Sequence, residues 1–109
     1  MTKVTIYNNL ENECVGFQVL GHAGYAEEGE DIVCAAISIL VINTMNAIEQ
    51  FTDAKFSQTA DEQQGLIEYH ISQPTKETTL LLNSMILGLQ TLEDDKTYGN
   101  YIDLIFEEV

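Results

Sequence analysis

One of the chain's two cysteines and one of its two histidines lie within a single short stretch, GHAGYAEEGEDIVCAAIS, residues 21–38. His22 and Cys34 stand at opposite ends of a segment that, with Gly21 just before it, carries three glycines and four acids. A thiol paired with an imidazole can carry out acyl transfer. The sulfur attacks a carbonyl carbon, and the ring that took the thiol proton later gives it to the leaving amine. Gly21 and Gly24 flank His22 and leave the backbone free to aim that ring.

Asp31 stands where a helix N-cap is expected, which predicts Ile32 as the first helical residue and Cys34 as the third. A thiol in a first turn meets the positive end of the helix dipole, which favours thiolate. The backbone N–H groups of Val33 to Ala35 are then placed to hold an oxyanion. Glu27, Glu28, Glu30 and Asp31 work against ionisation of the thiol unless they point into solvent, and a cationic partner at the site would relieve them.

The other reactive side chains read as structural. Cys14 falls mid-strand beside Val15 and Gly16, the setting of a buried, unreactive thiol. His70 shares a strand face with Leu66 and Glu68, so a surface or packing role is expected for it. Ser38 is one turn beyond Cys34 on the same helix face and is expected to bond back to the Cys34 carbonyl, with support of the active site as the other reading. Tyr25 is either a lid residue that touches substrate or an ordinary exposed aromatic. A metal site made of Cys14, His22, Cys34 and His70 matches no zinc spacing, and no metal or other cofactor is expected.

The elements that must position this stretch follow from apolar periodicity. KVTIYNN and ECVGFQVLG alternate as strands near 3–8 and 13–20, linked by LEN. DIVCAAISILVINTMNAIEQF supplies about five turns of helix that is apolar around most of its circumference, the pattern of a helix packed on more than one side. A second hairpin falls near 54–60 and 65–72. After Pro74, Thr75 caps a second long helix with Lys76 and Glu77 in its first turn. NYIDLIFEE makes a last strand. The order is ββαββαβ: an α+β fold, two long helices packed on a mostly antiparallel sheet, in one domain over residues 1–109. One five-stranded sheet leaves apolar helix surface uncovered, which predicts a homodimer.

Eighteen acids against four lysines give a formal charge of −14. Such a surface repels phosphate backbones and anionic lipid, so direct nucleic-acid or membrane binding is not expected, whereas a basic protein would be attracted. The apolar run Ile32–Ile42 reads as too short to span a bilayer, and Met1–Lys3 lead directly into a strand rather than a secretory leader. Free thiols and no leader predict a cytoplasmic protein. The charge also admits a second function class, a non-catalytic acidic adaptor for a basic partner.

GHAGYA followed by GEDIVCAAIS, in an acidic chain of this length and element order, resembles the ribosomal-processing cysteine protease family, Prp. The resemblance covers the whole chain. It implies a cytoplasmic homodimer that removes a short amino-terminal extension from large-subunit ribosomal protein number twenty-seven, cutting after an aromatic residue and before a small one. Related phage capsid or scaffold proteins are implied as further substrates. On the matching motifs the family's histidine falls on His22 and its nucleophile on Cys34, and Asp31 and Ser38 also match. A lysine- and arginine-rich ribosomal protein suits the −14 charge. Glycines 21, 24 and 29 suit a lid over an apolar peptide segment.

Overall fold

The computed structural model describes residues 1–21 and 28–109, with Glu28 described for its backbone alone. Along the chain run β1 (Thr2–Asn8), β2 (Cys14–Leu20), α1 (Glu28–Phe51), β3 (Phe56–Asp61), β4 (Leu66–Ile71), α2 (Lys76–Glu93), a 3-10 turn (Gly99–Tyr101) and β5 (Ile102–Glu108). This is the ββαββαβ order expected. The strands form one sheet in the order β3-β4-β2-β1-β5, antiparallel at every pairing except β1 with β5.

The first hairpin closes through Asn9, whose Oδ1 accepts from the backbone N–H groups of Glu11 at 3.0 Å and Glu13 at 2.9 Å, with Asn12 at φ 62°. The link is longer than LEN because this side-chain turn holds Asn9 and Glu13 outside the strands. In the second hairpin Asp61 Oδ1 accepts from Gln63 N–H at 3.0 Å, and Gly65 takes the positive φ of 64° needed to turn back into β4.

Thr75 caps α2 as its position in the sequence predicts. Its hydroxyl accepts from Thr78 N–H while Thr78 Oγ1 accepts from Thr75 N–H, a closed capping box. Both helices pack on the same face of the sheet. Val33, Ile37, Val41 and Ile48 of α1 are fully buried, as are Leu82 and Leu89 of α2, and they meet Val4, Ile6, Phe17 and Tyr69 of the strands. Gly88 brings the helices close, since a Cβ there would stand 2.9 Å from Leu40 Cδ2.

The start of α1 differs from expectation. The helix begins at Glu28 instead of Ile32, so Asp31 lies within it, exposed, and is not its cap. Gly29 explains the earlier start: a Cβ there would come within 2.7 Å of the Tyr101 ring, so the glycine seats the first turn against a residue from the far end of the chain. Acids at 28, 30 and 31 also suit a helix amino end. The helix likewise outruns the apolar stretch read from sequence. By length and composition Gly29–Phe51 is long and apolar enough to cross a membrane, because Thr44 and Asn46 interrupt the apolar run without ending the helix. In this fold one face of that helix is committed to the core.

The opposite face of the sheet carries a polar network. Tyr7 Oη donates to Glu68 Oε1 at 2.9 Å, Gln18 Nε2 donates to Glu68 Oε2 at 2.9 Å, and His70 Nε2 lies 2.8 Å from Glu68 Oε1. Burial pushes the Glu68 carboxyl up, but the hydrogen bonds from Gln18, Tyr7 and His70 outweigh it and hold the group below its ordinary range. The Tyr7 and His70 rings stack at 5.3 Å across Gly16. His70 therefore has the surface packing role expected of it. Cys14 is buried too, with Sγ 3.4 Å from the Gly16 carbonyl oxygen that accepts from it. Burial pushes that thiol up, away from the nucleophilic form.

Candidate active site

Cys34 lies on α1 where the helix passes the end of the sheet, and it is half-buried. β2 ends at Leu20. The next residue, Gly21, donates its N–H to the Gly65 carbonyl at 2.9 Å, which extends the β2–β4 pairing by one position. A Cβ built on Gly21 would stand 3.5 Å from Cys34 Sγ, 3.7 Å from Thr2 Oγ1 and 3.8 Å from Gly65 O. Cys34 Sγ, Thr2 Oγ1 and the Gly65 carbonyl thus converge on Gly21, and the missing side chain there leaves space beside the sulfur.

The sulfur opens on a cavity of about 290 Å³. Ser38 and Ile42 of α1 line one side, and Val19, Ala60, Leu66 and Ile67 of the sheet line the other. Asp61 at the end of β3 and Glu62 of the turn that follows stand at its rim. Asp61 is held in that turn by its bonds to the Gln63 and Gln64 backbone N–H groups. The walls are mostly apolar and the rim acidic, a chemistry suited to an apolar side chain within a basic peptide.

Of the site residues named from the sequence, Cys34, Gly21 and Ser38 share the cavity wall. Several local expectations are not met. Cys34 is nearly two turns inside α1, so the N–H groups of Val33, Cys34 and Ala35 lie in the helical ladder and are not free oxyanion donors. The expected bond from Ser38 to the Cys34 carbonyl is not made among the described residues, whereas Thr44 does bond back to Leu40 O at 2.8 Å. Ser38 instead lines the cavity, as does Thr2. Asp31 is exposed, and is not part of the cavity wall. His22 and Tyr25 lie outside the described residues. Sequence reasoning missed Thr2, Ala60 and Gly65, whose place at the site depends on strand pairing and not on any local pattern.

A half-buried, helix-borne thiol on an apolar recess at the sheet end suits a cysteine nucleophile. The chain belongs to the Prp family: the family model described as Cysteine protease Prp matches residues 1–103. It is 33% identical over 98 residues to the ribosomal processing cysteine protease Prp of Staphylococcus aureus, covering 87% of this chain and 91% of that one. Over 100 residues it is 27% identical to the protein of the same name from Bacillus subtilis, covering 87% and 89%. Among solved structures, the essential ribosomal processing protease Prp from S. aureus in complex with a substrate peptide superposes with a TM-score of 0.90 at 30% identity, over 98% of this chain and all of that one. A structure of the S. aureus protease with a covalently linked product peptide superposes at 0.84, with 30% identity and the same coverage. Membership in this family makes the chain a cysteine protease and sets aside the adaptor reading.

Proposed function

We infer that the chain is an endopeptidase that removes the amino-terminal extension of large-subunit ribosomal protein number twenty-seven, with Cys34 as nucleophile and His22 as its acid–base partner. The observation that carries this reading is the position of Cys34 Sγ, which opens on the apolar cavity against Gly21. His22 follows Gly21 in the chain, so the imidazole is carried by the residue next to the one that faces the sulfur.

In the reaction, His22 takes the thiol proton as Cys34 Sγ bonds to the carbonyl carbon of the scissile peptide. The resulting tetrahedral adduct collapses as the C–N bond breaks, and His22 gives the proton to the leaving amine. Water, deprotonated by the same ring, then attacks the thioester carbonyl, releasing the acid product and restoring the thiol. Hydroxyls of Thr2 and Ser38 on the cavity wall supply O–H donors near the reacting centre. Asp31 has a supporting role at most, and Tyr25 is assigned to substrate contact in the segment before α1.

The −14 charge supports a basic ribosomal substrate, and phage capsid or scaffold proteins are further candidates. The same charge argues against nucleic acid or a membrane as a direct partner. A cytoplasmic homodimer completes the reading. Ile39, 71% exposed, lines a groove of about 430 Å³ between α1 and α2 with Leu40, Gly88 and Leu92, an apolar surface that a second copy would cover.

The test is incubation with a basic peptide that spans the ribosomal protein's extension, under reducing conditions, followed by mass spectrometry. One cut after an aromatic residue is expected, absent with Cys34→Ala. No product from the wild type would remove the assignment.

A further inference from the structure

The core face of the sheet carries a row of cross-strand partners, Val4, Val19, Ile67 and Ala60, running from β1 through β2 and β4 to β3. Burial falls along it. Val4 and Val19 are buried, Ile67 is half-buried and Ala60 is exposed. Strand positions facing a core favour β-branched or aromatic residues, and alanine is depleted there. The row therefore ends in a recess where a larger side chain would have completed it. Across the recess stands Ile42 of α1, a large apolar side chain left 46% exposed. Both residues line the cavity on which Cys34 opens.

An apolar side chain seated between Ile42 and Ala60 would cover Ile42 and extend the row. Room exists for a ring: an apolar cavity of about 150 Å³ already admits benzene, and this one is about 290 Å³. Of the recess walls, Val19 belongs to the buried core and Ile67 packs against it, so neither can change without disturbing the fold. Ala60 belongs to neither group and is free to set the size of the space.

We propose that Ala60 is a specificity-determining residue: its small side chain admits the large apolar residue on the amino side of the scissile bond, and enlarging it excludes that residue. This rests on the protease reading and adds the wall that selects the substrate.

The experiment compares wild type with Ala60→Val and Ala60→Leu on two lysine-containing decapeptides that differ only in Phe or Ala before the cut. Both substitutions suit a strand, and equal melting temperatures confirm folding. For the Phe peptide kcat/KM is expected to fall by about tenfold or more in Ala60→Leu, and less in Ala60→Val, with the Ala peptide changed by less than about twofold. Equal losses on both peptides, or no loss on either, would overturn the proposal. A second arm measures binding of the same labelled peptides by fluorescence anisotropy to Cys34→Ala, with and without Ala60→Leu. Loss of affinity confined to the Phe peptide supports the recess, and unchanged affinity for it refutes it. Wild type that cuts neither peptide sinks the processing assignment, while the anisotropy arm still decides the role of Ala60.

Discussion

Gly21 and Cys34 meet across the cavity mouth, and the distance between them is what one methyl group would fill. A Cβ on Gly21 would stand 3.5 Å from Sγ, ordinary van der Waals contact. Gly21→Ala should therefore fold with a melting temperature close to wild type, yet cover one side of the sulfur. Peptide cleavage is expected to drop by about tenfold or more, because a small misplacement of the attacking atom is costly. Full activity with an unchanged melting temperature would show that substrate approaches from another side.

The two thiols differ in access. Cys14 is 1% exposed and Cys34 is half-buried on the cavity wall. Iodoacetamide should label the native protein once, at Cys34, and twice in urea, as read by intact-mass spectrometry. Slower labelling of Cys34 in His22→Ala would support the dyad, and equal rates would count against it.

Gly16 is required by the sheet face beyond the active site. A Cβ there would collide with the Tyr69 carbonyl oxygen and lie 3.1 Å from His70 Cα, so it must force β2 from β4 or displace the Tyr7–His70 stack. Gly16→Ala is expected to cost about 2 kcal/mol and lower the melting temperature on the order of 10 °C. Calorimetry checks this. A change within about 1 °C would mean that the strands separate freely.

Tyr69 has a fully buried ring stacked between Phe17 and Phe56, and its hydroxyl has no hydrogen-bond partner among the described residues. Burial, with the Glu49 charge second, pushes its pKa up to about 12. Tyr7 is also pushed up to about 12, first by burial and then by its bond to Glu68. In each case the unfolded state loses its proton first, near pH ~10. Their stabilisation is whole below pH ~10 and is lost as pH rises toward about 12. Tyr69→Phe should flatten that alkaline limb in urea titrations. At neutral pH it should leave stability unchanged or raise it by about 1 kcal/mol, since no hydrogen bond is lost.

Ile39 tests the second copy. Ile39→Glu puts a charge into the groove between α1 and α2 without touching the core. Light scattering should show wild type at twice the 12.2 kDa chain mass and the variant at the single-chain mass, with the monomer still folded. A wild-type monomer at micromolar concentration would remove the dimer.

Much of the fold was legible because it rests on local rules. Alternation marked the strands, and Thr75 before a helical run marked the α2 cap, since its bond to Thr78 spans one turn. Cys14 and His70 were legible as structural from their strand positions alone. The start of α1 was not, because Gly29 is seated by Tyr101, a contact between residues far apart in the chain. The first-turn placement of Cys34 failed for the same reason. Ser38 showed the limit of a local rule: the back-bond that Thr44 makes is absent at Ser38, which lines the cavity instead.

From residue types alone came the reactive pair, the acidic surface, the element order and the family motifs, all properties of neighbours along the chain. The tertiary structure alone decided that β5 lies parallel beside β1, that Thr2, Gly65 and the Cys34 sulfur gather around Gly21, and that a strand row stops at Ala60 on the wall of the same cavity. Those facts depend on which strands pair and in what register. Register is a property of the folded sheet, and no window of adjacent residues contains it.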